Sequence, residues 1–165
     1  LNLWGKKSLL VRDAVIYHRG STSLNRLDYS TKALWWERNA LWTIIKNYSD
    51  DFLKGIWPAA LALAYQRESI LREAGLIADS EAHHQGVLAA LKGLPTVQEK
   101  RKKVQSQRTI NDNQLLTLFP DPFREWAYGP AHYELFARED YKRFRRDCIE
   151  RFELRELFSA AQSEI

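Results

Sequence analysis

The sequence predicts a mainly α fold: a helical, bundle-like region from residue 30 onward, preceded by one or two short β-strands. Three observations carry this reading. Apolar residues recur at three- and four-residue steps through most of the chain after Ser30. Glycine, proline and capping residues interrupt that pattern at helix-length intervals. Only "SLLVRDAVIYH", residues 8–18, reads as a strand.

In that segment Leu9, Leu10, Val11, Val15, Ile16 and Tyr17 are apolar or strand-favouring, and "RDA" interrupts them as a turn or bend would. A strand alone has two unpaired edges. Its sheet must therefore come from an upstream segment, a partner chain, or a hairpin with "LNLW". "RGSTSLNRLD" follows as a loop. "STKALWWERNALWTIIKNY" then carries an apolar stripe at Leu34, Leu41, Ile45 and Tyr48, which predicts a helix over 30–48. Ser49 is the expected cap of the next helix, with Asp50 and Asp51 at its positive end. Pro58 is expected to break or restart that helix. "AALALAYQRESILREAGL" is helical, with Gly75 as C-terminal cap.

Ser80 is expected to open a further helix that stops at Gly93. Thr96 and Glu99 have capping-box spacing and predict a helix start there. "NDNQLLTLF" reads as a short helix ended by Pro120, and Asp121 with Pro122 as the start of another. Residues 131–163 contain neither glycine nor proline. Tyr141, Phe144, Cys148 and Phe152 recur there at three- and four-residue steps, predicting one long helix.

The 165 residues are 45% apolar and 28% charged, enough to build one domain with a core. No apolar run approaches the roughly 20 residues of a membrane span. No secretory signal is recognisable, and the single cysteine, Cys148, excludes an internal disulfide and fits a reducing compartment. The chain has no methionine, which leads to the expectation that it is a piece of a longer protein. Its net charge is +4. Six basic residues (Lys92, Lys100, Arg101, Lys102, Lys103 and Arg108) face a single acid, Glu99, between positions 92 and 108. Such a cluster is either a surface for a polyanion or a solvated helix face. No helix-turn-helix spacing, zinc pattern or RNA-binding aromatic signature accompanies it, so nucleic acid is not an expected partner.

His18 ends the strand-like run, and Gly20 permits backbone conformations in which successive N–H groups converge on an anion. Ser21, Thr22 and Ser23 add hydroxyl donors and Arg19 adds charge. An imidazole beside such a cradle suits a divalent cation bridging phosphates, although a hydrogen-bonded structural histidine is the commoner outcome. His83 and His84 are neighbours on a helix, about 100° apart, and make a poor chelate; both read as structural or surface residues. Cys148 lies on an apolar stripe and reads as core. Trp35, Trp36, Trp42 and Trp57 read mainly as core, with a lipid-interface role for "FLKGIWPAALALAY" as the alternative.

"GKKSLLVRDAVIYHRGSTS" followed by "WWERNALWTIIKNY" resembles the C-terminal part of family 2 glycosyltransferases, inverting enzymes with a GT-A fold. The resemblance is nearest to bacterial, rhamnosyltransferase-like members that build surface polysaccharides. It covers residues 1–48 well and, through "KRKKVQSQRTINDNQLLTLF", 96–119 loosely. It implies that residues 1–29 are the terminal strand and active-site loop of a truncated GT-A domain, and 30–165 an α-helical C-terminal region. It further implies that His18 completes the shell of a divalent cation (Mg or Mn), and that Arg19, Ser21 and Ser23 contact phosphate or acceptor. Arg38 falls where related enzymes carry an arginine near the active-site mouth. The implied partners are a nucleotide-sugar donor and a glycan or lipid-linked acceptor. The implied location is the cytoplasm, with peripheral attachment to the inner membrane face as an extension.

The family's aspartate-x-aspartate motif and its acidic segment bearing the catalytic base are not found in this sequence. No catalytic residue is therefore expected in this chain, which alone should be inactive and bind no metal. The rival reading is a helical interaction module that binds a membrane surface or a partner protein through the basic 92–108 segment. The strand separates the two: in an independent domain it must pair within the chain, and in a fragment its open edge is available to another polypeptide, including a second copy.

Overall fold

A computed structural model describes residues 2–7, 13, 15, 17, 26–119, 121–123 and 130–155. These form a mainly helical body. A short 3-10 turn, Asn2–Trp4, precedes seven α-helices: α1 (Tyr29–Asn47), α2 (Asp50–Glu73), α3 (Ile77–Lys92), α4 (Leu94–Ser106), α5 (Asp112–Leu118), α6 (Pro130–Phe136) and α7 (Glu139–Arg151). No strand occurs among the described residues. Most of the expected strand at 9–17 lies outside them, and Asp13, Val15 and Tyr17, which are described, are not in a strand.

α3 packs mainly on α1 and α2, α4 on α1, and α6 and α7 on α2. The core is continuous from Leu41 and Ile44 of α1 and Tyr48 at its C-cap, through Phe52, Ile56, Leu63, Ile70 and Leu71 of α2, to Val87, Leu116, Tyr141 and Leu154. α1 and α3 approach closely because residue 86 is glycine. A Cβ there would stand 2.8 Å from the Glu37 Cβ and 2.9 Å from the Leu34 carbonyl oxygen. Leu3 packs on the same core, and the Thr109 N–H donates to the Leu3 carbonyl oxygen at 2.8 Å.

Local chemistry explains the boundaries. Asp28 caps α1 by accepting from the Thr31 N–H, and Ser49 caps α2 by accepting from the Phe52 N–H. α2 ends in a Schellman turn. Gly75 sits at φ 78°, the Gly75 N–H donates to the Arg72 carbonyl, and the Leu76 N–H donates to the Leu71 carbonyl. α5 begins with a complete Asn111–Gln114 capping box.

Four sequence expectations need correction. Pro58 does not interrupt α2. It withholds one N–H from the Lys54 carbonyl, and Lys54 is exposed, so water can satisfy that group; buried Ile56, Ala59, Ala60 and Leu63 hold the helix on both sides. Ser80 does not open α3, which starts three residues earlier, straight out of the Schellman turn. The Ser80 hydroxyl is buried and donates to the Glu68 carbonyl, stitching α3 to α2. Thr96 and Glu99 form no capping box, because α4 starts directly after Gly93 with Pro95 in its first turn, where proline is favoured. Glu99 pairs with Lys102 instead.

The long C-terminal helix is in fact two, broken at Ala137 and Arg138. Phe136 and Tyr141 are five residues apart, about 140° apart around one continuous helix at about 100° per residue. The break lets both rings enter the core, 4% and 1% exposed, with centroids 5.6 Å apart.

Two of the six clustered cations serve the fold. The Arg101 guanidinium donates to the Ile45 and Tyr48 carbonyls, which the end of α1 leaves open, and to Asp50 at 2.6 Å. Arg108 pairs with Asp112 at 2.6 Å and donates to the Ile110 carbonyl. Arg101→Ala is therefore expected to destabilise the fold by about 1–3 kcal/mol, chiefly through the orphaned Ile45 carbonyl, since Gln105 Nε2 also reaches the Tyr48 carbonyl at 3.4 Å. Lys100→Ala and Lys103→Ala, on exposed positions, should each stay within about 0.5 kcal/mol. Urea unfolding of the three variants checks the contrast.

Candidate functional site

Each of α1, α2 and α3 places an ionisable residue on its buried face. Glu37 lies one turn from Ala33 and Leu41, Arg67 one turn from Leu63 and Leu71, and His83 one turn from Val87. In the folded chain the three side chains meet.

Arg67 grips the Glu37 carboxylate with both arms: Nη2 donates to Oε1 at 2.6 Å and Nε to Oε2 at 3.1 Å. His83 Nδ1 lies 2.7 Å from Glu37 Oε2. A carboxylate only accepts, so Nδ1 carries the proton and donates. The His83 Nε2 lies 3.1 Å from the Tyr29 hydroxyl, within hydrogen-bond reach. Arg67 Nη1 donates to the Tyr141 hydroxyl at 3.0 Å, extending the network to α7.

The Glu37 side chain is 1% exposed and that of His83 0%. Burial alone pushes the Glu37 carboxyl upward. The charge of Arg67 and the hydrogen bonds from His83 and Arg67 overrule it and hold the pKa at about 2. Glu37 is thus a permanent buried anion matched by a permanent cation.

Tyr29, the first residue of α1, is the half-buried end of this chain of bonds. Its ring stacks on His132 of α6, centroids 3.6 Å apart and planes 3° from parallel. His132 is itself fixed by Asp79 of α3, Nε2 to Oδ2 2.9 Å. Trp36 meets the Tyr29 ring edge-on at 6.0 Å. The start of α1 is therefore clamped between two histidines held by two carboxylates. With Glu37 and His83 sealed from solvent, the arrangement cannot present a base to a substrate; what it can do is hold Tyr29, and the chain entering α1, in one place.

The sequence-predicted site residues His18, Arg19, Ser21 and Ser23 lie outside the described residues. Arg38 is described and does not join the network. Its guanidinium lies 4.9 Å from the Trp42 ring centroid and donates to Asn39 Oδ1. His83 and His84 have structural partners, Glu37 and Glu68, and Cys148 is buried in the core, which pushes its thiol pKa up. Among the described residues no group of three or more His, Cys, Asp or Glu side chains is arranged to hold a metal ion.

Sequence reading missed Glu37, Arg67 and Tyr29. Its signal was available: a charge of each sign occupying an apolar stripe position on consecutive helices. The basic residue singled out in "ERN" was Arg38, whereas its neighbour Glu37 is the one buried. No protein-family model, curated protein or solved structure matches the chain.

Proposed function

We propose that this chain is the C-terminal part of a nucleotide-sugar-dependent, inverting glycosyltransferase of surface polysaccharide or glycolipid synthesis, working in the cytoplasm at the inner membrane face. The resemblance of residues 1–48 supports the reaction class. One structural observation supports the role of the helical region: α1 begins six residues after Ser23, and its first residue is clamped by His83 and His132. In this reading the clamp fixes the point at which the segment carrying Arg19, Ser21 and Ser23 enters the helical body.

In this reading the acceptor hydroxyl attacks the anomeric carbon after losing its proton to an aspartate from the acidic motif that the resemblance places upstream. His18 would help to hold a divalent ion, which would supply positive charge against the leaving nucleotide. Arg19 and the Ser21 and Ser23 hydroxyls orient the donor, and the helical body braces them. No described helix is long and apolar enough to cross a membrane. The rival reading, a module binding through the basic 92–108 segment, is weakened because Arg101 and Arg108 are bonded into the fold.

The test uses the polypeptide that carries this chain together with its acidic-motif half. His18→Ala should lower sugar transfer by at least the roughly 10–100-fold typical of disturbed metal sites, and should weaken dependence on manganese. Unchanged turnover with an unchanged metal requirement would remove His18 from the site and overturn the reading.

A further inference from the structure

Away from the buried network, a cleft of about 440 Å³ opens where the end of α1 meets α5 and the N-terminal turn. That volume lies within the roughly 300–1,000 Å³ range of small-ligand pockets. We propose that this cleft binds a neutral sugar ring, and serves as a subsite for the acceptor glycan. The acceptor role rests on the sugar-transfer reading above; the binding itself rests on the lining.

The lining is mixed in a particular way. Thr43 and Asn47 sit one turn apart on α1, and Tyr48 follows at its end. Asn2 faces them from the N-terminal turn, with Phe119 and Asp121 across the opening. Among the described residues the polar lining groups are therefore two amides, two hydroxyls and one carboxylate, with no lysine or arginine. Tyr48 is 6% exposed. Burial, with Asp112 and Asp121 nearby, pushes its pKa well above that of an ordinary phenol, so it remains an O–H donor. The Asp121 carboxylate is already engaged, accepting from the Phe123 N–H and pairing with Arg145. Phe119 is 52% exposed, and Leu3 and Leu115 supply apolar wall.

Three ligand classes can be compared on this chemistry. A phosphate or nucleotide would find no free cation among the described lining residues, and Arg145 beside the cleft is already taken by Asp121, so its charge would go unmatched. A hydrocarbon would leave the Asn47 amide and the Tyr48 hydroxyl without partners, at about 1–3 kcal/mol for each buried group. A sugar ring has hydroxyls at its edge for the amides and hydroxyls, and C–H faces for the Phe119 ring and the leucines. It satisfies both halves of the lining.

The test needs neither donor nor transfer. The 165-residue chain, labelled with nitrogen-15, is titrated with the methyl glycosides of a hexose, a 6-deoxyhexose and an N-acetylhexosamine at millimolar concentration. At least one should give saturable amide shifts centred on Thr43, Asn47, Tyr48 and Phe119. Phe119→Ala and Asn47→Ala should each weaken that binding about tenfold or more, a loss of about 1.4 kcal/mol. Uridine diphosphate and inorganic phosphate should leave the same signals unmoved. The proposal falls if none of the glycosides gives saturable shifts there, if neither variant weakens the binding, or if uridine diphosphate or phosphate occupies the cleft. The two ideas fail separately: a dead cleft leaves the His18→Ala transfer assay unaffected, and an inactive parent leaves the titration unaffected.

Discussion

Arg67→Ala should cost about 3–5 kcal/mol of unfolding free energy, the loss expected when one partner of a buried ion pair is removed. The reason is the carboxylate left behind. The Glu37 side chain is 1% exposed, and its described donors are Arg67 Nη2, Arg67 Nε and His83 Nδ1. Removing the guanidinium takes away two of these three bonds and the neutralising charge, and also the donor at 3.0 Å from the Tyr141 hydroxyl. Against a total stability of about 5–15 kcal/mol for an ordinary domain, the loss would be visible as a large drop in the urea midpoint. Replacing both partners by apolar groups, Glu37→Leu with Arg67→Met, leaves no stranded charge and should recover most of it. The double-mutant cycle thus separates a buried pair from a merely crowded arginine. A single-variant loss below about 1 kcal/mol, or a double variant as unstable as the sum of its parts, would contradict the geometry. Near-ultraviolet circular dichroism adds a local readout, because the Tyr29 and Tyr141 rings hang on the same network.

How much of this could be read from the chain differs from element to element. The spans of α1 and α5, and the starts of α2 and α5, follow from local signals: Asp28, Ser49 and Asn111 are side-chain caps, and the stripes are regular. The punctuation that failed did so where tertiary contacts overrode a local preference. Pro58 is carried by a helix anchored on both sides, and the break at Ala137 and Arg138 has no glycine or proline to announce it. The break lets Phe136 and Tyr141 both be buried, a demand that is invisible until the partner helix is placed. The basic 92–108 segment was legible as charge but not as use; the outlets of Arg101 are carbonyls about fifty residues away. The network was half legible. Glu37, Arg67 and His83 each interrupt an apolar stripe, which marks them as buried polar residues seeking partners. Which partners they find depends on how α1, α2 and α3 are rotated against one another, and no spacing within a single helix fixes that.

Acid should expose the same network through its carboxyl group. Glu37 has a pKa of about 2 in the folded protein against an ordinary 4.5. Between these values the unfolded chain binds a proton that the folded one refuses, so stability rises with pH across this window. The contribution is fully present above pH 4.5 and is lost as pH falls toward 2. A shift of that size corresponds to about 3 kcal/mol. Asp28, Asp51 and Glu139 also have lowered values, each held down chiefly by a side-chain hydrogen bond, from Thr31, Lys54 and Arg146 respectively. All three are fully exposed, so salt screens the charged part of their effect, whereas the Glu37 pair, sealed by Arg67 and His83, is screened far less. Chemical unfolding at high salt, measured in steps from pH 5.5 to pH 2.5, isolates the buried group. The native sequence should lose stability steeply below pH 4.5, while Glu37→Gln, weaker at neutral pH because it gives up the ion pair, should show a much flatter profile over the same interval. Parallel curves for the two proteins would mean that Glu37 is not the group through which acid acts, and that the guanidinium of Arg67 is neutralised by something other than this carboxylate.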